Sequence, residues 1–153
     1  MSNGPVSAAE RRFVQDVARL LTPWGVPQTA ARLYGYLLLC EAPASLDQIA
    51  ADLEVSKSSA SVAARLLEMY TLVHRHGQRG SRRVLYEPSD NYEGMLAAQN
   101  RMLEEGAALL RAGARDVAAG RARDRLLEMA DFYLLSRQSM ESLMRQWRER
   151  RRP

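Results

Sequence analysis

Apolar residues recur along most of this chain at the three- and four-residue steps of an α-helix, and two short stretches of strand-like character interrupt them. Phe13, Val14, Val17, Leu20 and Leu21 share one helical face. They follow Ser7-Ala-Ala-Glu10, the spacing of a capping box in which each side chain satisfies a free first-turn amide of the other residue. Thr22-Pro-Trp-Gly-Val-Pro27 stops that helix, because two prolines and a glycine do not continue it. A second helix carries Leu33, Tyr34, Leu37, Leu38 and Cys40 on its apolar face until Pro43 forces a turn. Ser45-Leu-Asp-Gln48 reads as another capping box, opening a short helix to about Leu53 that turns Leu46, Ile49 and Leu53 inward.

Glu54-Val55 then predicts a turn, and Ser56 a cap whose oxygen accepts from the first amides of the next helix. In that helix a 3.6-residue period collects Val55, Ala60, Ala63, Ala64 and Leu67 on one face and Lys57, Ser58, Ser61, Val62 and Arg65 on the other. Two helices joined so tightly, the second rich in small and basic residues, match the helix-turn-helix arrangement. Leu72 to His76 and Arg83 to Tyr86 read as the strands of a hairpin around a polar, glycine-punctuated loop from Gly77 to Arg82.

After Pro88 the pattern turns helical again, with Ser89 or Asp90 as the cap. Tyr92, Leu96, Gln99, Leu103, Gly106 and Leu110 alternate four- and three-residue steps, the seam of a helix packed along a partner. A break is predicted between Val117 and Gly120. Beyond it Leu126, Met129, Tyr133, Met140, Leu143, Met144 and Trp147 define a last long amphipathic helix, frayed from Arg148. Gly106, Gly113 and Gly120 stand seven residues apart. Because glycine costs about 1 kcal/mol inside a helix, one of them is expected to end a helix and the others to permit a close crossing.

Composition changes the picture in two ways. A chain of 153 residues with 46% hydrophobic content supports one domain with a real core, or a small domain plus an oligomerisation element. No apolar run reaches membrane-spanning length, and Met1 to Ala9 lacks the basic start and apolar middle of a signal peptide, so a cytoplasmic protein is expected. The lone Cys40 excludes an intramolecular disulfide and, within Leu37-Leu-Leu-Cys40, reads as a buried thiol. The net charge is +4, and its distribution says more than its size. From Val55 to Tyr86 six basic residues face Glu68 alone, net +5, while the other 16 basic and 17 acidic residues sum to −1. A basic excess gathered on one helix and hairpin is the footprint of a polyanion-binding face.

Enzyme chemistry finds no support. The chain has no phosphate loop, nucleophile elbow, paired catalytic carboxylates or metal signature, so no cofactor is expected. His74 and His76 share a strand face but supply only half of a metal site, and a structural or pH-dependent role in the strand is the more ordinary reading.

Four runs carry a family resemblance: Gly25-Val-Pro-Gln-Thr-Ala-Ala-Arg-Leu-Tyr-Gly-Tyr-Leu-Leu-Leu, Ser45-Leu-Asp-Gln-Ile-Ala, Val55-Ser-Lys-Ser-Ser-Ala-Ser-Val and Arg65-Leu-Leu-Glu. Over roughly residues 10–90 the chain resembles the GbsR-type branch of the MarR superfamily, bacterial winged-helix transcription regulators. The resemblance implies a mainly α fold with a small β-hairpin wing, a winged helix-turn-helix flanked by N- and C-terminal dimerisation helices. The corresponding regions are 1–24 for the N-terminal helix, 25–88 for the DNA-binding domain and 89–153 for the C-terminal dimerisation helices. It implies a homodimer on double-stranded DNA, with the helix from Lys57 in the major groove and the wing near Arg79 in a neighbouring minor groove or on the backbone. It further implies a repressor whose action is relieved or altered by a small effector. Two departures stand out: Thr71 occupies the place where glycine usually closes the recognition helix, and Ala60 and Ala64 replace larger aliphatics, implying a close helix approach or compensating bulk from Tyr34, Tyr36 or Leu67.

On this reading Arg65 contacts a base, since arginine is the usual bidentate partner of guanine. Lys57, Ser58 and Ser59 suit a phosphate or an adjacent base at the helix start, and Ser61 and Val62 meet bases, Val62 through a thymine methyl. Gln78, Arg79, Ser81, Arg82 and Arg83 form the wing tip, with Arg82 and Arg83 sent to opposite faces by strand alternation. Ser45 is a secondary phosphate candidate. Purely structural roles stand beside these: capping for the serines and an ion pair with Glu68 for Arg65. An operator read by such a dimer is an imperfect palindrome with half-sites about 34 Å apart. The alternative function is a winged-helix interaction module whose basic face meets an acidic protein.

Overall fold

The computed structural model describes residues 6–153. The start of the 1–24 segment, and most of the Met1–Ala9 stretch from which no signal peptide is expected, lie outside these residues. Two compact units divide the chain after Asp90.

The first unit holds α1 (Ala8–Leu21), a single 3-10 turn (Thr22–Trp24), α2 (Gln28–Leu39), β1 (Ala44–Ser45), α3 (Leu46–Leu53), α4 (Lys57–Met69), β2 (Val73–Gly77) and β3 (Val84–Pro88). The capping box at the start of α1 forms in both halves: Ser7 Oγ accepts from Glu10 N–H, and Glu10 accepts from Ser7 N–H at 2.6 Å. These bonds, the backbone one foremost, hold the Glu10 carboxyl below its usual range. For α3 the Ser45 half of the box is in place, Ser45 Oγ accepting from Gln48 N–H.

The core is a single cluster contributed by all four helices and the sheet. Leu33, Tyr36, Leu37, Ile49 and Leu67 are fully buried, each such aliphatic side chain contributing about 1.5–3 kcal/mol. The sequence pattern placed Leu38 on the buried face of α2, yet Leu38 is exposed and Tyr36 takes the interior position. Tyr36, Ala60 and Ala64 are all fully buried in this core, and the Tyr36 hydroxyl donates to Asp52 Oδ2 at 2.6 Å, tying α2 to α3. Burial and that bond push the Tyr36 hydroxyl far above its ordinary pKa. Cys40 is half-buried as the residue that ends α2, and burial raises its thiol likewise.

The sheet has three strands in the order β1-β3-β2, all antiparallel. The hairpin strands sit one to two residues later than the sequence pattern suggests, and β1 was not legible because a two-residue strand has no periodicity to read. Thr71 closes α4 in the left-handed conformation, φ +60°. Its N–H bonds to Glu68 O and the following Leu72 N–H to Leu67 O, the paired bonds of a Schellman cap. A β-branched residue therefore performs the turn that glycine performs without steric cost.

The second unit is an antiparallel pair, α5 (Tyr92–Asp116) and α6 (Gly120–Arg151). Asn91, rather than Ser89 or Asp90, caps α5, accepting from Gly94 N–H at 2.9 Å. The buried seam of α5 runs through Asn100, Ala107 and Ala114, one position beyond Gln99 and Gly106, so the predicted stripe is rotated by about one residue. Gly106 lies under the Tyr133 ring and Gly113 beside Leu126, where added side chains would meet α6, while Gly120 takes φ +55° at the break. Small residues on α5 thus let the two backbones approach closely. At the open end Tyr92 meets Trp147 edge-on at 5.6 Å and Glu93 pairs with Arg148 at 2.9 Å, which keeps α6 helical through Arg151 where fraying was expected.

Candidate nucleic-acid interface

The face in question is built by α3, α4 and the β2–β3 hairpin. Glu54 turns the chain between α3 and α4 in the left-handed conformation, φ 56°, and Ser56 caps α4 by accepting from Ser59 N–H at 3.0 Å. With Ala60, Ala63, Ala64 and Leu67 buried against the core, the opposite side of α4 is forced outward. Lys57, Ser58, Ser59, Val62 and Arg65 are exposed there and Ser61 is half-exposed; Val62 presents 67% of its surface, high for an aliphatic side chain.

Several of these groups already have partners. Lys57 Nζ lies 3.0 Å from Asp47 Oδ1 in the first turn of α3. Ser59 Oγ accepts from Ser56 Oγ at 2.8 Å, and Ser58 Oγ is 3.1 Å from the same hydroxyl. Arg65 Nη2 donates to Ser61 Oγ at 3.4 Å, one turn back. Glu68 does not pair with Arg65; its Oε2 faces Arg75 Nε on β2 at 3.6 Å. Arg65 has no carboxylate partner among the described residues, and beyond the bond to Ser61 its guanidinium is exposed on the outer surface of α4.

Ser45 does not join this face. It is 5% exposed, paired opposite Leu85 in the sheet, and its hydroxyl is taken by Gln48 N–H. The wing does project its polar residues: Gln78, Arg79, Ser81, Arg82 and Arg83 are all exposed. The loop is ordered by Gln78 N–H to Arg83 O, Ser81 N–H to Gln78 O and Arg83 N–H to Ser81 Oγ, each 3.0–3.1 Å, with Gly80 at φ +76°. Arg79, Arg82 and Arg83 have no ion-pair partner among the described residues, so this short loop carries three uncompensated charges. Sequence spacing gave no sign of Asp47 beside Lys57 or of Glu87 beside His74, since both contacts cross between elements. An open cleft of about 360 Å³ adjoins α4, lined by Pro27, Thr29 and Ala30 at the start of α2 and by Ser58, Val62 and Leu66.

Among the described residues no cluster of three or more His, Cys, Asp or Glu side chains is arranged to hold a metal, and no helix is long and apolar enough to cross a membrane.

Residues 90–150 match a family described as MmpR5-like MarR family transcriptional regulators. A crystal structure described as that of a transcriptional regulator shares the fold, with TM-score 0.77 at 23% identity over 92% of this chain and 99% of that one. The family likeness lies in the two C-terminal helices, and the likeness to the solved structure is one of fold. A MepR mutant from a multidrug-resistant S. aureus clinical isolate is a looser likeness, with TM-score 0.45 at 15% identity over 86% of this chain and 92% of its own. No curated protein matches this chain.

Proposed function

We propose that this chain is a MarR-type regulator, a homodimer that binds double-stranded DNA sequence-specifically, α4 entering the major groove and the arginine-tipped wing lying on an adjacent minor groove or backbone. The observation that carries this reading is Arg65, exposed and without a carboxylate partner, between Ser58, Val62 and Ser61 on the outer side of α4. That surface offers a bidentate donor for guanine, a methyl-sized apolar contact for thymine and hydroxyls for either. Lys57 is held by an exposed ion pair worth about 0–1 kcal/mol, little enough to be exchanged for a phosphate. Gln78, Arg79, Ser81, Arg82 and Arg83 supply the wing contacts, whereas Ser45, buried and committed to its cap, is left out.

The second unit supports dimerisation. Two helices bury only one face each, and Met102, Leu109, Phe132, Leu135 and Leu143 stay more than half exposed on α5 and α6. Apolar surface of this extent calls for a second copy. In this reading residues 25–88 bind DNA, and 1–24 with 89–153 dimerise. The runs between Gly25 and Glu68 are of the GbsR type, and we place the chain in that branch while its terminal helices are MmpR5-like. Repression answering to a small effector completes the proposal, the cleft beside α4 having the volume of a small-molecule site. Selection of duplexes from a random library tests it: enrichment of an imperfect palindrome with half-sites one turn apart supports the reading, and failure to enrich any duplex overturns it.

A further inference from the structure

The chain has two histidines, and both lie on one face of the wing's first strand. His74 Nε2 is 2.8 Å and His76 Nε2 3.3 Å from the same atom, Oε1 of Glu87 on β3. Glu87 is the residue directly opposite His74 in the ladder, and the two rings stand 6.1 Å apart. All three side chains are partly exposed. From α4 the charged group nearest this strand is Glu68, which pairs with Arg75 on the other face of β2 and lines, with His74, a cleft at the foot of the wing. Among the described residues Glu87 is therefore the one carboxylate ion-paired with either ring. It can balance one imidazolium and not two. With both rings neutral the trio carries −1; with both protonated it carries +1.

We propose that His74, His76 and Glu87 form a proton-operated charge switch that sets how tightly the wing holds the phosphate backbone of duplex DNA. The inference rests on the DNA-binding reading above. His76 is two residues from Gln78, where the arginine loop begins, about 7 Å along an extended strand and inside the ~8 Å screening length of physiological salt. Of the side chains, imidazole is the one whose charge responds most readily to pH, and this chain has no histidine besides these two. Acidification adds positive charge beside Arg79, Arg82 and Arg83, and binding to a polyanion tightens.

The test measures duplex affinity against salt at about pH 8 and about pH 5.5 for the full-length parent, the H74Q/H76Q double variant and Glu87→Gln, with circular dichroism at both pH values. Each phosphate newly neutralised steepens the log–log salt slope by about 0.9. The parent is expected to steepen by roughly 1 to 2 on acidification, and the double variant to have one slope at both pH values. Glu87→Gln should bind more tightly than the parent at the higher pH and still steepen on acidification. If the double variant does not fold, H74Q and H76Q singly should each remove part of the change. An unchanged parent slope, or a change that survives loss of both rings, overturns the switch. Absence of duplex binding by the parent at either pH overturns the DNA-binding reading and the switch with it.

Discussion

Glu68 near the end of α4 faces Arg75 on the first wing strand, Oε2 to Nε 3.6 Å, and not Arg65, three residues before it on the same helix. The choice follows from direction: Glu68 is largely buried toward the wing, while Arg65 points outward. At this separation, with Arg75 more than half exposed, the pair contributes modestly. Glu68→Gln should change stability by less than about 1 kcal/mol in urea unfolding. A loss above about 2 kcal/mol would show that the pair anchors the wing.

Thr71 is the second place where wing geometry meets a cost. A non-glycine residue in the left-handed region is disfavoured by about 1–2 kcal/mol, offset in a glycine variant by the looser unfolded chain. Thr71→Gly should therefore raise stability by about 0.5–1 kcal/mol, read as a higher denaturation midpoint. A clear loss would mean that the Thr71 hydroxyl, bonded to Tyr70 O, outweighs the strain.

Tyr36 and Cys40 set the behaviour at alkaline pH. Both pKa values are raised in the fold, chiefly by burial, so the native state keeps protons that the unfolded state releases at about pH 8.5 for cysteine and about 10 for tyrosine. Their contribution is complete below those values and is lost as pH rises through the folded ones. Stability should fall between about pH 8 and 11, and Tyr36→Phe should flatten the upper part of that fall. A pH profile identical to the parent's in Tyr36→Phe would contradict the assignment.

Much of this architecture was legible because it rests on short-range chemistry. Capping at Ser7 and Ser56, the breaks at Pro23 and Gly120 and the inward alanines of α4 depend on neighbours three or four residues away. What escaped depends on tertiary contact. Tyr36 rather than Leu38 lies in the core, and the α5 seam runs through Asn100, Ala107 and Ala114, positions set by how α5 meets α6. In the candidate site the exposed face of α4 and the wing arginines could be read from periodicity and charge. Ser45 could not be separated from them, since a serine at a helix start looks the same whether its hydroxyl meets a phosphate or its own Gln48 amide.

The proposed dimer rests on apolar side chains that one chain leaves uncovered. Phe132 and Leu135 project from α6 with 65% and 61% of their surfaces exposed. Replacing both with glutamate should cost the fold itself little and shift sedimentation at micromolar concentration from dimer to monomer, as buried like charges are expelled from an interface. A parent protein that sediments as a monomer contradicts the dimer outright.

The most direct test of the account is the specificity of Arg65→Ala. Once an operator is selected, the ratio of operator to random-duplex affinity is measured for parent and variant at one salt concentration. Loss of a bidentate base contact should reduce that ratio by about 1–3 kcal/mol, roughly five- to 150-fold, with random-duplex binding nearly unchanged. A variant that discriminates operator from random duplex as well as the parent would contradict the claim that α4 reads bases through Arg65.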